Sequence, residues 1–368
     1  MTGFAFSSGL SALWIAVGCV AGITTSWLWL AREFRRERDR YGVLTLPDYL
    51  AAKYPERSRL IRWISSLIIL FFFLFYVSAQ FSGSGKTLEV TFGLDPAWGI
   101  LVSATVVILY SMAGGFFSVV WTDAVQAILM ILSLGLLPIL ALFAVRGQGI
   151  SIGGALAAAG GGRDSWAGGL AGFSLGLMVV NNLAWFFGYL GGQPQLSSRW
   201  MAMRNDADVR TGAWIAIAWT LVAYSGAILI GLTGLALYGA GAVDDPEKIF
   251  PYMVNRMLPP WLGGIMLTGA VAAMMSTASS QLLISASCFG EDILHRSLGR
   301  RYPERTLVRI SRATVAAAGL LGLLLAFGAK ELIYYVVGWA WAGIGCSFSP
   351  EILLAFFWRR FHANGVVA

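Results

Sequence analysis

"AQFSGSGKTLEV", residues 79–90, decides the fold. Gly83, Gly85, Lys86 and Thr87 have the pattern of a phosphate-binding loop, which would mean an α/β nucleotide-binding protein. That loop reads G-x-x-x-x-G-K-[ST] and sits between a strand and a helix. Counting back from Gly85, the first glycine should fall at position 80, which is Gln80. The surroundings decide what the partial pattern leaves open. Of 368 residues, 57% are hydrophobic and 12% charged, against about 25% charged in soluble domains. Mean hydropathy is +0.71. The 44 Gly and 15 Trp suit helices packed in lipid with indoles at the interfaces. The composition is that of an all-α integral membrane protein with many spans.

Working outward, apolar runs of about 20 residues mark helices able to cross the hydrocarbon. Nine are expected, near 7–31, 60–85, 97–113, 115–145, 168–191, 211–240, 261–289, 311–328 and 332–358. The connecting segments alternate in charge. "REFRRERDR" follows the first span, and Arg199, Arg204 and Arg210 follow the fifth. "HRSLGRRYPER" follows the seventh, and Arg359 and Arg360 follow the ninth. Between them lie neutral or acidic segments such as "VDDPEK" and "AKE". The positive-inside rule then places 32–59, 192–210, 292–312 and 359–368 in the cytoplasm, with the N-terminus outside. On this topology "SGSGKT" is the outward end of the second span, away from nucleotide, and Lys86 is a snorkelling lysine. The net charge of +7 belongs to these short loops and gives no reason to expect nucleic acid. Cys19, Cys288 and Cys346 lie in apolar runs and read as small buried residues. His295 and His362 are too far apart in sequence to suggest zinc. No cleavable leader is visible. The location is a cell inner (plasma) membrane, multi-pass.

Two spans look interrupted, and transporters bind ions and solutes where helices break. In "NNLAWFFGYLGGQPQLSSRW" (181–200), Gly188, Gly191, Gly192 and Pro194 break a run flanked by Trp185 and Tyr189. A helix that simply ends there is equally compatible. In "LTGAVAAMMSTASSQLLISAS" (267–287), Ser276, Thr277, Ser279, Ser280 and Gln281 fall mid-span. Hydroxyls commonly bond along membrane helices, but two adjacent hydroxyls and a carbonyl one turn earlier would also suit a hard cation, which prefers oxygen. No nucleophile motif, metal-ligand cluster or paired intramembrane carboxylates suggests an enzyme.

"LTLPDYLAAKY" (44–54), "ILYSMAGGFFSVVWTDAVQAILM" (108–130), "GYLGGQPQLSSRWMA" (188–202), "AAMMSTASSQLLISASCFGED" (272–292) and "WAWAGIGCSFSP" (339–350) resemble the sodium:solute symporter family, most nearly its bacterial sodium/proline members. The resemblance runs through nearly the whole chain, as one symporter membrane domain over 1–368. It implies a five-plus-five inverted-repeat (LeuT-like) fold and sodium-coupled uptake of a small solute, most nearly proline. Sodium is the co-transported ion, with no organic cofactor and no obligate protein partner. The resemblance places sodium on the Ser276 and Thr277 hydroxyls and the Ala273 carbonyl. It places the solute at Tyr110, Trp185, Tyr189 and Pro194. A membrane sensor domain, or a symporter for a carboxylate, vitamin or sugar, are the alternatives. Three departures stand out. Gly191 and Gly192 make two glycines before Gln193-Pro194 where the family's proline members carry one. Glu351 follows Pro350 inside a span. "MTGFAFSSGLSALWIAVG" resembles the exit from the family's first core helix, so that helix is expected to lie outside this chain, with half of the sodium site.

Overall fold

The computed structural model describes residues 1–299, 302–328 and 333–368. The "AKE" loop, position 332 of the ninth expected span, and Arg300 and Arg301 of the basic loop lie outside the described residues. Among those described, every regular element is helical. Eight helical stretches are long and apolar enough to cross a membrane. With two shorter helices they are labelled α1 (Thr2–Tyr41), α2 (Leu46–Lys53), α3 (Pro55–Phe92), α4 (Pro96–Gly147), α5 (Gly172–Met201), α6 (Asp206–Tyr238), α7 (Ile249–Met257), α8 (Pro260–Ser297), α9 (Glu304–Gly328) and α10 (Ile333–Phe357).

The nine expected crossings survive in eight stretches because α4 crosses twice. Gly115 has φ 62° and ψ −168°, which no helix contains, and Cα without Cβ is the residue that tolerates it. The first half of α4 ends with Met112–Gly115 near Leu283 of α8, and the second half runs back, Asp123 reaching Ser280 and Ser133 reaching the Met266 carbonyl. Local chemistry sets the other ends. The Thr45 hydroxyl accepts from the Asp48 amide (3.2 Å) to cap α2, and the Asn205 side chain accepts from the Asp208 amide (2.8 Å) to cap α6. Gly93 closes α3 in the left-handed region.

"SGSGKT" is interior to α3, so no phosphate loop exists. Its glycines are contact points: a Cβ on Gly85 would lie 2.5 Å from Ile100, and one on Gly99 2.9 Å from the Gly85 carbonyl. Lys86 corrects the snorkelling expectation. Its ammonium is held by Glu247 and, at 2.7 Å, by Asp245, so it ties α3 to the α6–α7 connection. Cys19 and Cys288 are buried as expected, whereas Cys346 is exposed on α10.

The basic segments gather at one end of the bundle. Arg38 donates to the Met203 carbonyl (2.8 Å), Lys53 to the Ala355 carbonyl (2.6 Å), and Arg62 and Arg296 both hold the buried Asp48 (3.0 Å each). The buried Asp292 accepts from Thr45 at 3.0 Å. Lys86, Glu89, Asp245 and Lys248 occupy the opposite end.

Helices approach most closely where glycine removes the side chain. A Cβ on Gly226 of α6 would sit 1.8 Å from the Leu134 carbonyl of α4, a backbone atom that cannot rotate away. Gly135, next in the same helix, has only Val222 at 4.0 Å. Gly226→Ala should therefore destabilise the detergent-solubilised protein by about 1–3 kcal/mol, while Gly135→Ala should be neutral or stabilising. Thermal unfolding of the two variants measures this, and equal midpoints would refute the close packing.

Candidate functional site

The fifth expected span is broken where its sequence suggests. α5 is helical over Gly172–Leu183 and Trp185–Tyr189, leaves the helix at Leu190, and resumes at Pro194–Met201. At the break the Leu190 amide donates to the Phe187 carbonyl (3.0 Å) and the Gly191 amide to the Tyr189 carbonyl (2.7 Å), and both carbonyls also accept hydroxyls from other helices. Ser26 of α1 donates to the Tyr189 carbonyl (2.6 Å) and Ser349 of α10 to the Phe187 carbonyl (2.7 Å). Ser26 opens a π-helical turn, Ser26–Leu30, a feature that recurs at functional sites. The doubled glycine has a packing cause. Gly191 has φ +87°, and a Cβ there would meet Ile352 at 2.6 Å; a Cβ on Gly192 would meet the Ser349 hydroxyl at 2.2 Å. Both let the break press against α10. A Cβ on Gly188 would lie 2.1 Å from the Trp341 indole nitrogen, so this glycine too sets the approach.

The seventh expected span is not broken, which corrects the reading of an interruption there. α8 runs as α-helix through Pro260–Ser287 and continues as π-helical turns over Cys288–Ser297. Its hydroxyls turn back onto the helix. Ser276 and Thr277 both donate to the Ala273 carbonyl (3.0 and 2.9 Å), and Ser279 and Ser280 both donate to the Ser276 carbonyl (3.1 and 2.8 Å). Each of these hydroxyls is satisfied without unwinding, whereas the buried Gln281 amide has no partner among the described residues.

Ser276 and Thr277 face a cavity of about 560 Å³ between α1, α4, α5, α6 and α8. Tyr189 and Trp341 form part of its wall. On the far side of that aromatic pair is a second cavity of about 270 Å³, lined by Trp185, Tyr189, Tyr76 and Trp341. The rings make one cluster. Tyr189 lies 4.6 Å from Trp341, Trp185 stacks on Trp341 at 5.5 Å, and the Tyr189 hydroxyl meets that of Tyr224 at 3.1 Å.

The other expected site residues lie elsewhere. Tyr110 lines neither cavity: its hydroxyl donates to the Met275 carbonyl (2.9 Å), against the hydroxyl-bearing turn of α8 and away from Trp185. Pro194 is buried as a first-turn residue of the resumed helix, where its missing N–H costs nothing, and its carbonyl accepts from Ser198 (2.8 Å). Ala273 faces a different hollow, beside Met130 and Ser133, although its carbonyl is the one that Ser276 and Thr277 share. Glu351 keeps one buried carboxylate oxygen without a partner among the described residues.

The structure adds a group that the sequence reading passed over. Asp123 of α4 forms an ion pair with Arg199 of the resumed part of α5. Ser280 touches both: its hydroxyl accepts from Arg199 (2.7 Å) and lies 3.3 Å from Asp123, an alternative acceptor to the Ser276 carbonyl for its one proton. The other Asp123 oxygen is buried and unpartnered among the described residues. All three line the cavity that Ser276 and Thr277 face. The signal was present: an aspartate within an apolar span is a functional candidate by default, and "VVWTDAVQ" carries one.

The sequence model of the sodium:solute symporter family matches residues 1–368. The chain belongs to the sodium:solute symporter family. It is thus a membrane transporter rather than an enzyme, with sodium as the coupled ion and a small molecule as its solute. The high-affinity proline transporter PutP of Bacillus subtilis is 33% identical over 371 residues, covering 100% of this chain and 77% of the relative. The sodium/proline symporter of Escherichia coli is 32% identical over 375 residues, covering 100% and 74%. A Na+-coupled sialic acid symporter, solved in a substrate-bound outward-open state, superposes with a TM-score of 0.79 at 19% identity, over 99% of this chain and 76% of that one. That likeness establishes the five-plus-five inverted-repeat fold.

The Asp123–Arg199 pair can be weighed on its own. Arg199→Gln leaves a half-buried carboxylate with only Ser280, and Asp123→Asn leaves a guanidinium without its counter-ion. Each change should cost more than its share of the double change, with a coupling of about 1–3 kcal/mol in a double-mutant cycle. Additive losses in thermal or denaturant unfolding would show that the pair is not coupled.

Proposed function

We propose that this chain belongs to a membrane unit that takes up proline with sodium. The observation that carries the reading is the shared cavity. The Ser276 and Thr277 hydroxyls, which the ion would use, and the Tyr189 and Trp341 rings, which a solute could pack against, face one space. The relatives named above, proline transporters at 32–33% identity, support proline as the solute. An imino acid needs an apolar face for its ring and polar backbone for its charged ends, and rings beside a broken helix offer both.

In this reading sodium is held by the Ala273 carbonyl and the Ser276 and Thr277 hydroxyls. The hydroxyl protons would turn from the carbonyl to other acceptors, freeing three oxygens within one helical turn, and the unpartnered Asp123 oxygen adds negative charge nearby. Tyr189 supplies the solute surface within the shared cavity, and Trp185, stacked on Trp341, extends that surface into the adjoining cavity. Pro194 fixes the restart of the helix behind them, and Tyr110 steadies the α8 turn through Met275. Opposite kinetic signatures test the division of labour in proteoliposomes, with the sequence expressed from its native open reading frame. Thr277→Ala should raise the sodium concentration for half-maximal uptake several-fold, and proline affinity should largely recover at saturating sodium, since the ligands are linked. Trp185→Ala should raise the apparent KM for proline roughly ten- to a hundredfold at every sodium concentration. Unchanged sodium dependence in the first variant would remove the ion from this turn; unchanged KM in the second would move the solute.

The basic end of the bundle is assigned to the cytoplasm of a plasma membrane by its arginines. Cysteines introduced at Gly42 and Ser297 should resist an impermeant thiol reagent in intact cells, and one at Ala242 should react. The reverse pattern would invert the topology.

A further inference from the structure

At the basic end, the outer faces of α1 and α10 meet around a groove of about 300 Å³ lined by Leu28, Trp29, Arg32, Glu33, Arg36 and Phe357. Its two halves differ in chemistry. Trp29 is 69% exposed, Leu28 51% and Phe357 64%, all at the ends of helices that cross the bilayer. One turn further along α1 stand Arg32 and Arg36. The inner faces of the same helices are packed, with Phe34 against Phe356 at 4.9 Å and Leu30 and Ala31 fully buried. The core therefore holds the groove open and fixes the height of the arginines over the apolar shelf.

The arginines are not used up by the fold. Asp206 is engaged by Arg35 through Nε (2.8 Å) and Nη2 (2.7 Å). Arg32 reaches that carboxylate only at 3.8 Å, too far for a hydrogen bond, and no other acidic partner is found for it among the described residues. Arg36 shares the exposed Glu33 at 2.8 Å. This contrasts with Arg38, Arg62 and Arg296 at the same end, each tied to a carbonyl or a buried carboxylate. Two cations against one acid leave the groove with one positive charge in excess. A guanidinium fork fits a phosphate bidentately, an exposed indole belongs at the headgroup level, and a basic pocket between spans is the chemistry that recognises anionic headgroups.

We propose that this groove binds an anionic glycerophospholipid, with the phosphodiester on Arg32 and Arg36 and the acyl chains along Leu28, Trp29 and Phe357. The single excess charge matches a singly charged headgroup such as that of phosphatidylglycerol. A free phosphate would satisfy the arginines but leave the apolar half uncovered, so the lipid is the occupant. The inference stands whatever solute the cavity takes.

Native mass spectrometry of the delipidated protein, titrated with phosphatidylglycerol or with phosphatidylcholine of the same chains, tests it. One phosphatidylglycerol should survive activation that strips phosphatidylcholine. Arg32→Gln combined with Arg36→Gln should weaken its retention roughly ten- to thirtyfold. Arg59→Gln, an exposed arginine outside the groove, should change nothing. Trp29→Ala should weaken phosphatidylglycerol while the arginines remain, and soluble glycerol phosphate should not displace the lipid. The Arg32 and Arg36 side chains are about half exposed (42% and 53%), and thermal unfolding of the double variant verifies that it is folded. Equal retention of the two lipids, retention that survives the double substitution, an equal loss in Arg59→Gln, or displacement by glycerol phosphate would each overturn the assignment. So would the absence of any retained lipid, as when a protein segment covers the groove.

Discussion

A helix broken inside hydrocarbon must find partners for the carbonyls it frees, because an unpaired backbone group there costs several kcal/mol. In this chain tight-turn amides meet that demand first, Gly191 at the Tyr189 carbonyl (2.7 Å) and Leu190 at the Phe187 carbonyl (3.0 Å). Two hydroxyl bonds to the same carbonyls, from Ser26 and Ser349, tie the break to α1 and α10. Much of the site's geometry follows from those two bonds. Ser349 can reach only because Gly188, Gly191 and Gly192 let α10 come into backbone contact. That approach brings Trp341 against Tyr189 and Trp185 and so builds the aromatic wall. Ser26 holds the other side at a π-helical turn of α1.

The intact helix α8 solves the same problem differently. Its hydroxyls bond back one turn, so the oxygens wait in place and the backbone need not move to expose them. Under the proposed sodium site, an arriving cation exchanges hydroxyl–carbonyl bonds for ion–oxygen contacts at little conformational cost. Asp123 extends the consequence. Its counter-ion Arg199 belongs to the part of α5 that follows the break. A cation near Asp123 competes with Arg199 for the carboxylate and thereby loosens the broken helix's hold on α4. Under the proposed sites, ion and solute would then be linked through one ion pair and one break, which is the form a coupling free energy must take.

How far this was legible from sequence depends on the range of the interaction concerned. The crossings follow from apolar length and the end-to-end alternation from arginines, both local. The break in α5 follows from Gly-Gly-x-Pro. The supposed interruption of α8 failed because serine and threonine carry two meanings: they can cap a break or bond back along an unbroken helix, and spacing alone does not say which. Lys86 was misjudged for a related reason. Its partners Asp245 and Glu247 are some 160 positions away, and no pattern along the chain reports them. Tyr110 and Pro194 were assigned by resemblance to the solute; neither lines the two cavities beside the break, one being bonded to the Met275 carbonyl and the other starting a helix.

The two ends of the bundle are held by charge clusters, whereas the middle combines neutral hydrogen bonds with the Asp123–Arg199 pair, and this difference bears on how the protein can move. Asp48 is almost fully buried with Arg62 and Arg296 on it, joining α2, α3 and the π-helical extension of α8. Lys86, with Asp245 and Glu247, joins α3 to the α6–α7 connection at the far end. Buried ion pairs add little net stability, but separating one without replacement costs several kcal/mol. Hydroxyl–carbonyl bonds in the middle are each worth about 1 kcal/mol and can be exchanged singly. Ligands that replace these hydroxyl bonds therefore act where rearrangement is cheap, while the charge clusters at the ends resist until a whole cluster yields. Since α8 carries the hydroxyls at its centre and Asp292 and Arg296 at its end, displacement of its middle by an ion must be resisted or passed on at the Asp48 cluster. A chain that binds at its centre and is clamped at its ends can expose that centre to only one side at a time if the two clamps open alternately, and α3, which contributes Arg62 to one clamp and Lys86 to the other, is the rigid element that connects them.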